Sequence, residues 1–451
     1  MITAKLPDGP QSSPLLQTYY WLTDPLGFME RCRQRYGDIF TVRIGPLFTP
    51  QVFISDPQLI QQVFATDSKK LDSGEEAGIK SPMLGRQSML ALAGQSHRRQ
   101  RKLLMPPFHG ERMRTYSELI CDVTEQVTSD WKVGEPFSAR PFMQEISLQI
   151  ILKAVFGLEE SSRYDKLRKS ITALLNPKSL ALLALTILFP PMQQDFGAWS
   201  PWGQLMRQLG QIDDLIYAEV AERREHPDPS RTDILSLMMA ARDEQGQPMS
   251  NVELRDELMT LLLAGHETVA IALAWALYWV HNQPEVREKL LQELKAVGDR
   301  SDASAILRLP YLSAFCSETL RIYPVGMLAL NRVVKSPLQI GDYQFDPGML
   351  LVPCIYLTHH REDLYPQAHL FRPERFLERS FSASEYLPFG GGNRVCIGLA
   401  FAQLEMKLVL ATILSNWQLE LANKNPVKPT RKGALLSPSQ GVRMVASGRR
   451  S

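Results

Sequence analysis

The segment that most limits how this chain can fold is a glycine-rich stretch from Phe389 to Gly398, which reads Phe-Gly-Gly-Gly-Asn-Arg-Val-Cys-Ile-Gly. Consecutive glycines let the backbone adopt positive φ angles and approach a bulky group closely. The stretch lacks the Gly-Lys-Ser/Thr ending of a P-loop, and Val395 occupies the place of the last glycine in GxGxxG. The sequence therefore argues against a nucleotide-binding loop at this position.

Cys396 stands in this glycine turn just before an apolar stretch that predicts a helix from Leu399 to about Ser415. Backbone amides and the positive end of the dipole at a helix start stabilise a thiolate. Such a thiolate is suited to be the axial ligand of a haem iron, where it favours O–O cleavage. The competing interpretation is a buried structural cysteine, and the ten-residue pattern as a whole favours the ligand.

Composition indicates an ordinary globular protein with enough apolar residues for a large core. The chain has 451 residues, of which 44% are hydrophobic and 22% are charged, which excludes disordered and fibrous classes. Its net charge of +2 gives no general attraction to polyanions, so we expect no nucleic-acid partner. Five widely spaced cysteines without a CxxC pair predict a reducing, cytoplasmic location.

A long apolar stretch at residues 258–280 predicts a buried central helix. It is long enough to span a membrane, but His266 and Glu267 lie near its middle, where a charge costs about 2.5 kcal/mol or more in lipid. Ser250 and Glu253 form a capping-box pattern that begins this helix, and we expect the helix to end at about His281.

A second apolar stretch, residues 180–192, is too short to span a membrane and ends at a Pro-Pro pair. It predicts, at most, peripheral contact with a membrane. The N-terminal residues show neither a signal-peptide pattern nor an anchor pattern, so we expect a soluble protein.

The remaining periodicity predicts a mainly α protein with a smaller β part. Apolar spacing of three and four residues predicts helices at 111–133, 142–157, 203–225, 232–242 and from Pro310 to Pro324. Strand-like runs lie at 40–44 and 51–54, which predict a hairpin, and at 332–334, 338–343 and 350–354. We expect one interlocked domain over 1–451, with its β-rich portion from about 36–70, 325–360 and 430–451 and its helical portion from about 90–324 and 395–420.

The glycine-rich stretch resembles the cysteine loop of the cytochrome P450 superfamily of haem-thiolate monooxygenases. The family pattern Phe-x-x-Gly-x-Arg-x-Cys-x-Gly is matched by Phe389, Gly392, Arg394, Cys396 and Gly398. The resemblance implies the P450 fold, in which a long central helix lies over haem b (iron protoporphyrin IX) and the cysteine loop lies on its proximal side. It also implies that Cys396 is the iron ligand, that Phe389 packs beside the sulfur and that Arg394 pairs with a haem propionate.

Two further motifs resemble the family in the same chain order. Glu318-Thr-Leu-Arg321, followed by Arg375, resembles the Glu-Arg-Arg network that locks the fold around the cysteine loop. Ala264-Gly-His-Glu-Thr268 resembles the oxygen-activation motif, in which Glu267 and Thr268 would relay protons as a general acid. The alternative is that Glu267 pairs with an arginine and the Thr268 hydroxyl bonds to its own helix.

Three residues match or replace family positions that contact the propionates. His97-Arg-Arg-Gln-Arg101 lies where the family usually has Trp-x-x-x-Arg, so Arg101 fits the pattern and His97 departs from it. A histidine N–H can also bind a carboxylate, so His97 is kept as a haem contact, together with Arg332. The neighbouring Arg98, Arg99 and Lys102 are either a solvated face or a basic docking patch for a soluble redox partner.

The resemblance implies an O2-dependent hydroxylation that draws two electrons from NAD(P)H through a separate reductase and a ferredoxin or flavodoxin. Apolar segments at the family's substrate positions, including Ala264, Val325 and Met327, predict a large hydrophobic substrate. The chain is similar to the retinoic-acid hydroxylase branch of soluble bacterial members, and Arg86 could meet a substrate carboxylate. A retinoid or a similar long apolar carboxylate is therefore expected.

Two alternatives remain on the same fold. The first is a peroxide-driven peroxygenase or hydroperoxide isomerase; such relatives commonly lack the acid-threonine pair, so Glu267 and Thr268 argue against it. The second is a non-catalytic haem sensor or carrier of apolar ligands, which would need no proton relay.

Overall fold

The computed structural model describes residues 6–45, 48–74, 82–108, 112–157, 162–175, 193–197, 200–297, 303–423 and 425–450. Residues 180–192, the predicted membrane contact, lie outside these ranges. The described α-helices, numbered in chain order, are α1 Pro14–Thr23, α2 Pro25–Tyr36, α3 Pro57–Ala65, α4 Gly94–Leu104, α5 Arg112–Thr128, α6 Ala139–Phe156, α7 Ser162–Leu174, α8 Pro201–Glu225, α9 Ile234–Ala240, α10 Asn251–Asn282, α11 Pro284–Ala296, α12 Ala303–Leu307, α13 Pro310–Ile322, α14 Ile355–His359, α15 Arg375–Glu378 and α16 Leu399–Asn416.

The strands form small sheets built from distant parts of the chain. They are β1 Ile39–Arg43, β2 Pro50–Ile54, β3 Leu71–Asp72, β4 Pro136–Ser138, β5 Arg332–Val334, β6 Leu338–Ile340, β7 Tyr343–Phe345, β8 Leu350–Pro353, β9 Trp417–Leu421, β10 Pro429–Lys432, β11 Leu435–Pro438 and β12 Arg443–Arg449. The largest sheet among the described residues has the order β1-β2-β8-β5-β3. The prediction of a mainly α protein with a smaller β part is confirmed.

The central helix α10 begins where its capping box predicts. The Ser250 hydroxyl accepts a hydrogen bond from the Glu253 amide, and the Glu253 carboxylate accepts one from the Ser250 amide. Its second half, Val269–Val280, is buried throughout, and the helix packs along α6 with further contacts to α16 and α13. Protein contacts therefore account for the apolar run that the sequence shows.

Two of the described helices, α10 and α16, are long and apolar enough to cross a membrane. Within their most apolar windows, 72% and 61% of the residues are buried inside the protein. This burial is typical of helices in a protein core.

The predicted hairpin at 40–44 and 51–54 is present as the antiparallel pair β1–β2. The prediction of one strand over 338–343 is wrong, because the chain turns back at Gly341 and forms the separate antiparallel strands β6 and β7. Gly341 has a φ of +56°, which an L side chain rarely adopts. A period-two pattern of side chains does not reveal such a reversal.

A buried ion network joins α13 to the start of α15 and to the residues just before it. The Arg321 guanidinium donates two hydrogen bonds to the Glu318 carboxylate at 2.7 and 2.8 Å, and both side chains are fully buried. Arg375 donates to the same carboxylate at 3.2 Å, and the Arg372 amide donates at 2.8 Å. The three charged residues predicted to form a network are thus in contact.

The network continues from Arg321 toward the cysteine loop through a buried histidine. Arg321 donates to the His359 carbonyl at 2.8 Å, and His359 Nε2 accepts from the Leu387 amide at 3.0 Å. Burial and the nearby Arg321 lower the pKa of His359 to about 3, so its ring is neutral and able to accept. This chain of contacts fixes the backbone two residues before Phe389.

A buried carboxyl on α16 generates a prediction about stability and pH. Burial raises the pKa of Glu405 from 4.5 to about 8, against an opposing effect of the Ser147 hydroxyl. Between pH 4.5 and pH 8 the folded state holds a proton that the unfolded state has lost. As the pH rises through this window, Glu405 therefore lowers the free energy of unfolding by about 1.4 kcal/mol per pH unit. We expect the stability of Glu405→Gln relative to wild type to rise through this window and to level off above pH 8.

Urea unfolding followed at several pH values measures this difference. The matched control is Glu420→Gln, the same substitution at an exposed position on β9. A stability difference for Glu405→Gln that stays constant with pH would contradict the prediction.

Candidate active site

The cysteine loop is a tight backbone turn that presents Cys396 at the start of α16. The Cys396 amide donates to the Phe389 carbonyl at 2.9 Å, which closes the loop. Between them, Gly392–Arg394 form one 3₁₀ turn, and Gly398 occupies the N-cap position of α16. Phe389 is partly buried and packs against the main hydrophobic core.

Two glycines of the loop are required by a phenylalanine on α3. A Cβ at Gly391 would lie 2.2 Å from the Phe64 ring, and a Cβ at Gly392 would lie 2.7 Å from the Phe64 carbonyl oxygen. Gly392 also has a φ of +64°. The sequence predicts close approach to a bulky group, and Phe64 is the bulky group that the structure reveals. A Cβ at Gly398 would meet no atom within 4 Å.

The Cys396 side chain is exposed, whereas Cys32, Cys316 and Cys354 are buried and Cys121 is half-buried. Cys396 nevertheless has much protein around it, and this burial raises the pKa of its thiol, while the Gly398 amide and the Arg101 charge oppose that rise. A thiol that is reachable but flanked by an amide and a cation is suited to bind a metal as a thiolate. The exposed side chain disagrees with a fully buried structural cysteine, and the role of Cys396 as a ligand stays a prediction.

Four basic side chains cluster beside the loop. His97 and Arg101 come from α4, Arg332 from β5, and Arg394 from the loop itself. Burial and the charges of Arg394, Arg101 and Arg332 together lower the pKa of His97 to about 4, against the opposing charge of Asp72. Among the described residues, the buried His97 Nε2 and Arg394 Nε find no hydrogen-bond partner.

Positive charge in this cluster exceeds negative charge. Asp72 forms an ion pair with Arg394 at 2.9 Å. In the part of the chain that the structure describes, Asp72 is the carboxylate whose charge raises the pKa values of His97, Arg332 and Arg394. Three guanidinium groups against one carboxylate leave a surplus of two positive charges. Burying such a surplus is costly unless a ligand compensates it.

This surplus and the unpartnered His97 nitrogen fit a group that carries two carboxylates. Haem b has two propionates and an iron that accepts a thiolate, so the residues present fit this cofactor. Cys396 would hold the iron, while His97, Arg101, Arg332 and Arg394 would face the propionates.

The middle of α10 has an accessible face within an otherwise buried helix. Ala264 is exposed and Thr268 is half-buried, although the turns that follow are fully buried. The Thr268 hydroxyl donates to the Ala264 carbonyl at 2.6 Å. A Cβ at Gly265 would lie 3.1 Å from Ile151 of α6, so this glycine permits close packing of the two helices.

Glu267 points from the same turn toward α6. Its carboxylate pairs with Arg140, and Gln144 donates to it at 2.6 Å. The described conformation is therefore the alternative that the sequence left open, with Glu267 paired to an arginine and the Thr268 hydroxyl bonded to its own helix. A proton relay would require both groups to leave these partners.

Comparisons with known proteins agree with this arrangement. The family model described as Cytochrome P450 matches residues 7–445. The protein named cytochrome P450 135B1 in Mycobacterium tuberculosis is 36% identical over 442 residues, covering 97% of this chain and 91% of that protein. The chain is a cytochrome P450.

Other P450s cover the chain to a similar extent. The protein named cytochrome P450 138 in Mycobacterium bovis is 34% identical, covering 98% of this chain and 96% of that protein. A solved structure of the cyanobacterial CYP120A1 with bound retinoic acid superposes with a TM-score of 0.83 at 24% identity, covering 99% of this chain and all of that chain. These likenesses confirm the P450 fold and the membership in a family of haem-dependent monooxygenases.

Two of the predicted substrate contacts of this P450 are placed differently from expectation. Met327 is only 2% exposed and packs in a core cluster with Phe40 and Phe53 beneath the sheet, so the prediction that it lines a pocket is wrong. Arg86 is exposed and so lies outside a buried apolar pocket, and its contact with a substrate carboxylate stays a prediction. Val325 is buried at the edge of the main core, where its carbonyl accepts from the Leu436 amide at 2.8 Å.

The predicted basic patch on α4 is largely neutralised. Arg99 pairs with Asp243 at 2.6 Å and with Glu253 at 2.5 Å, and Lys102 pairs with Glu244. Acidic residues before and at the start of α10 thus supply counter-charges to α4, and the docking patch stays a prediction beside the solvated face. Arg98 is exposed on the same helix.

Three partners in the site were missed by sequence reasoning: Asp72, Phe64 and Arg140. Each contacts a motif residue from more than a hundred positions away in the chain. None stands in a recognisable motif of its own, so the sequence carried no signal for them.

Proposed function

We propose that this P450 hydroxylates a large hydrophobic substrate, a retinoid such as retinoic acid or a similar long apolar carboxylate. The observation that carries the chemistry is the exposed Cys396 thiol beside a buried cluster with surplus positive charge. When bound, thiolate-ligated haem supplies the activation of O2 with two electrons. Those electrons would come from NAD(P)H through a separate reductase and a ferredoxin or flavodoxin.

The proposed role of Thr268 and Glu267 is to deliver protons to the accessible face of α10. Ala264 and Thr268 border that face, and Glu267 is the acidic group in the same turn. To deliver a proton, the Glu267 carboxylate would leave its ion pair with Arg140 and form a hydrogen bond with water or with Thr268. Gln144 of α6 would then keep the Glu267 carboxylate near α6, since its amide donates a hydrogen bond to the second carboxylate oxygen.

Two observations support the proposed substrate class. The positions proposed to contact the substrate are apolar or small, including Leu261, Ala264 and Val325. The structurally similar CYP120A1 has retinoic acid bound. We also propose that the exposed Arg86 binds the substrate carboxylate. The segment that carries Arg86 contacts α10, because the Gln87 backbone amide donates a hydrogen bond to Asp256 at 2.8 Å.

We further propose that the redox partner docks at α4, close to the cysteine loop. Arg101 of this helix donates to the Val395 carbonyl at 2.8 Å, so α4 touches the loop that holds Cys396. The exposed Arg98 would supply the positive charge for an acidic partner, and Arg99 and Lys102 would contribute only after leaving their carboxylates. A cytoplasmic location would suit soluble donors.

The first test is the absorption spectrum of the reduced, CO-bound protein. We expect a red-shifted Soret band in wild type that is lost in Cys396→Ser, because an alcohol does not ligate the iron as a thiolate does. Cys121→Ser, at a half-buried cysteine on α5, is the control and should keep the band. The same spectrum in wild type and Cys396→Ser would exclude Cys396 as the ligand.

The proton relay predicts uncoupled turnover in Thr268→Ala. Product formation should fall about 100-fold, the lower end of the contribution of a general acid, while NADPH is still consumed and peroxide accumulates. Thr268→Ser restores the hydroxyl and should recover most of the product. Unchanged product yield in Thr268→Ala would rule out the relay and favour the peroxygenase alternative, whereas substrate recovered unchanged from wild type would favour the sensor or carrier.

The carboxylate hypothesis is tested by titrating retinoic acid and retinol into the haem protein and following the spectral shift. We expect retinoic acid to bind at least about tenfold more tightly than retinol, and Arg86→Ala to remove most of that difference, since one charge-assisted contact contributes about 1.4 kcal/mol or more. Equal affinity of wild type and Arg86→Ala for retinoic acid would exclude Arg86. The absence of a shift with either retinoid would exclude this substrate class.

A further inference from the structure

Asp72 is a buried carboxylate that no motif of the family pattern includes. It is the second residue of β3, a two-residue strand at the edge of the largest sheet, and it is 3% exposed. Its Oδ1 accepts from Arg394 at 2.9 Å, and its Oδ2 accepts from the Gly94 amide at 2.7 Å. Because Gly94 begins α4, one carboxylate ties the cysteine loop to the helix that carries His97 and Arg101.

The next residue, Ser73, contacts a second arginine of the cluster. The Ser73 hydroxyl accepts from Arg332 at 2.9 Å and donates to the Asn331 carbonyl at 2.6 Å. The Ser73 carbonyl also accepts from Arg394 at 3.2 Å. Two consecutive residues thus hold two guanidinium groups that come from β5 and from the cysteine loop.

We infer that Asp72 and Ser73 are positioning residues that aim Arg394 and Arg332 at the haem propionates and set the charge around them. This inference rests on the proposed haem site. With Asp72, the three arginines carry a surplus of two positive charges, which equals the charge of two propionates. Without Asp72, the surplus is three, and Arg394 loses its side-chain anchor.

Charge and position have separate consequences. Loss of a negative charge near the iron favours the reduced form, which has one electron more, so the reduction potential should become more positive. Loss of the anchor should let Arg394 move, so that bound haem leaves faster. A residue that served only as a cap for α4 would lower thermal stability without changing the potential.

The test uses haem-loaded protein with Asp72→Asn, which keeps the shape and removes the charge. We expect a more positive reduction potential and faster haem transfer to apomyoglobin, with the thiolate–CO band retained. The matched control is Asp67→Asn, the same substitution at an exposed position five residues earlier. A potential and a haem-transfer rate that both stay within the range of Asp67→Asn would overturn the inference.

Asp72→Glu separates the two effects and serves if Asp72→Asn does not fold. It keeps the charge but moves the carboxylate by one methylene, so haem transfer should be faster than in wild type while the potential stays close to that of wild type. Wild-type haem transfer in Asp72→Glu would count against positioning, and a wild-type potential in Asp72→Asn would count against the charge effect. A wild-type protein without the thiolate–CO band would instead refute the proposed haem site itself.

Discussion

The fully buried Glu318 carboxylate is the contact on which the architecture around the cysteine loop depends. It accepts from two arginine side chains and one backbone amide. A buried ion pair of this kind adds little net stability, but removal of one partner leaves an uncompensated charge, which costs about 3–5 kcal/mol. Because Arg321 reaches His359, and His359 accepts from the Leu387 amide, the network also dictates where the loop begins.

Much of the fold could be predicted from local patterns. The start of α10 followed from the Ser250 capping box, and α16 followed from the apolar run after Gly398. These features depend on residues a few positions apart, which is why a single sequence reveals them. The reversal at Gly341 was missed because alternation of side chains is the same on both sides of a tight turn.

The site was predictable in its motif residues and not in their partners. Cys396 and the arginines carry a pattern, whereas Asp72 reaches Arg394 across 322 positions in the chain. The counter-charges of Arg99 and Lys102 were missed for the same reason, since their partners lie beyond position 240. Charge seen in a sequence becomes a binding surface only when the fold leaves it without a counter-charge.

The parallel pairing of β2 with β8 has a consequence for how the protein assembles. Residues 51–54 pair with residues 350–353, so the sheet joins segments separated by about three hundred positions. Closing so long a loop is slow compared with forming helices or the β1–β2 hairpin. Since β3 and β5 complete the same sheet and carry Asp72 and Arg332, the haem pocket should be among the last parts of the molecule to form. Haem would then bind late in folding, to a pocket that forms only after the rest of the molecule, and would not nucleate folding.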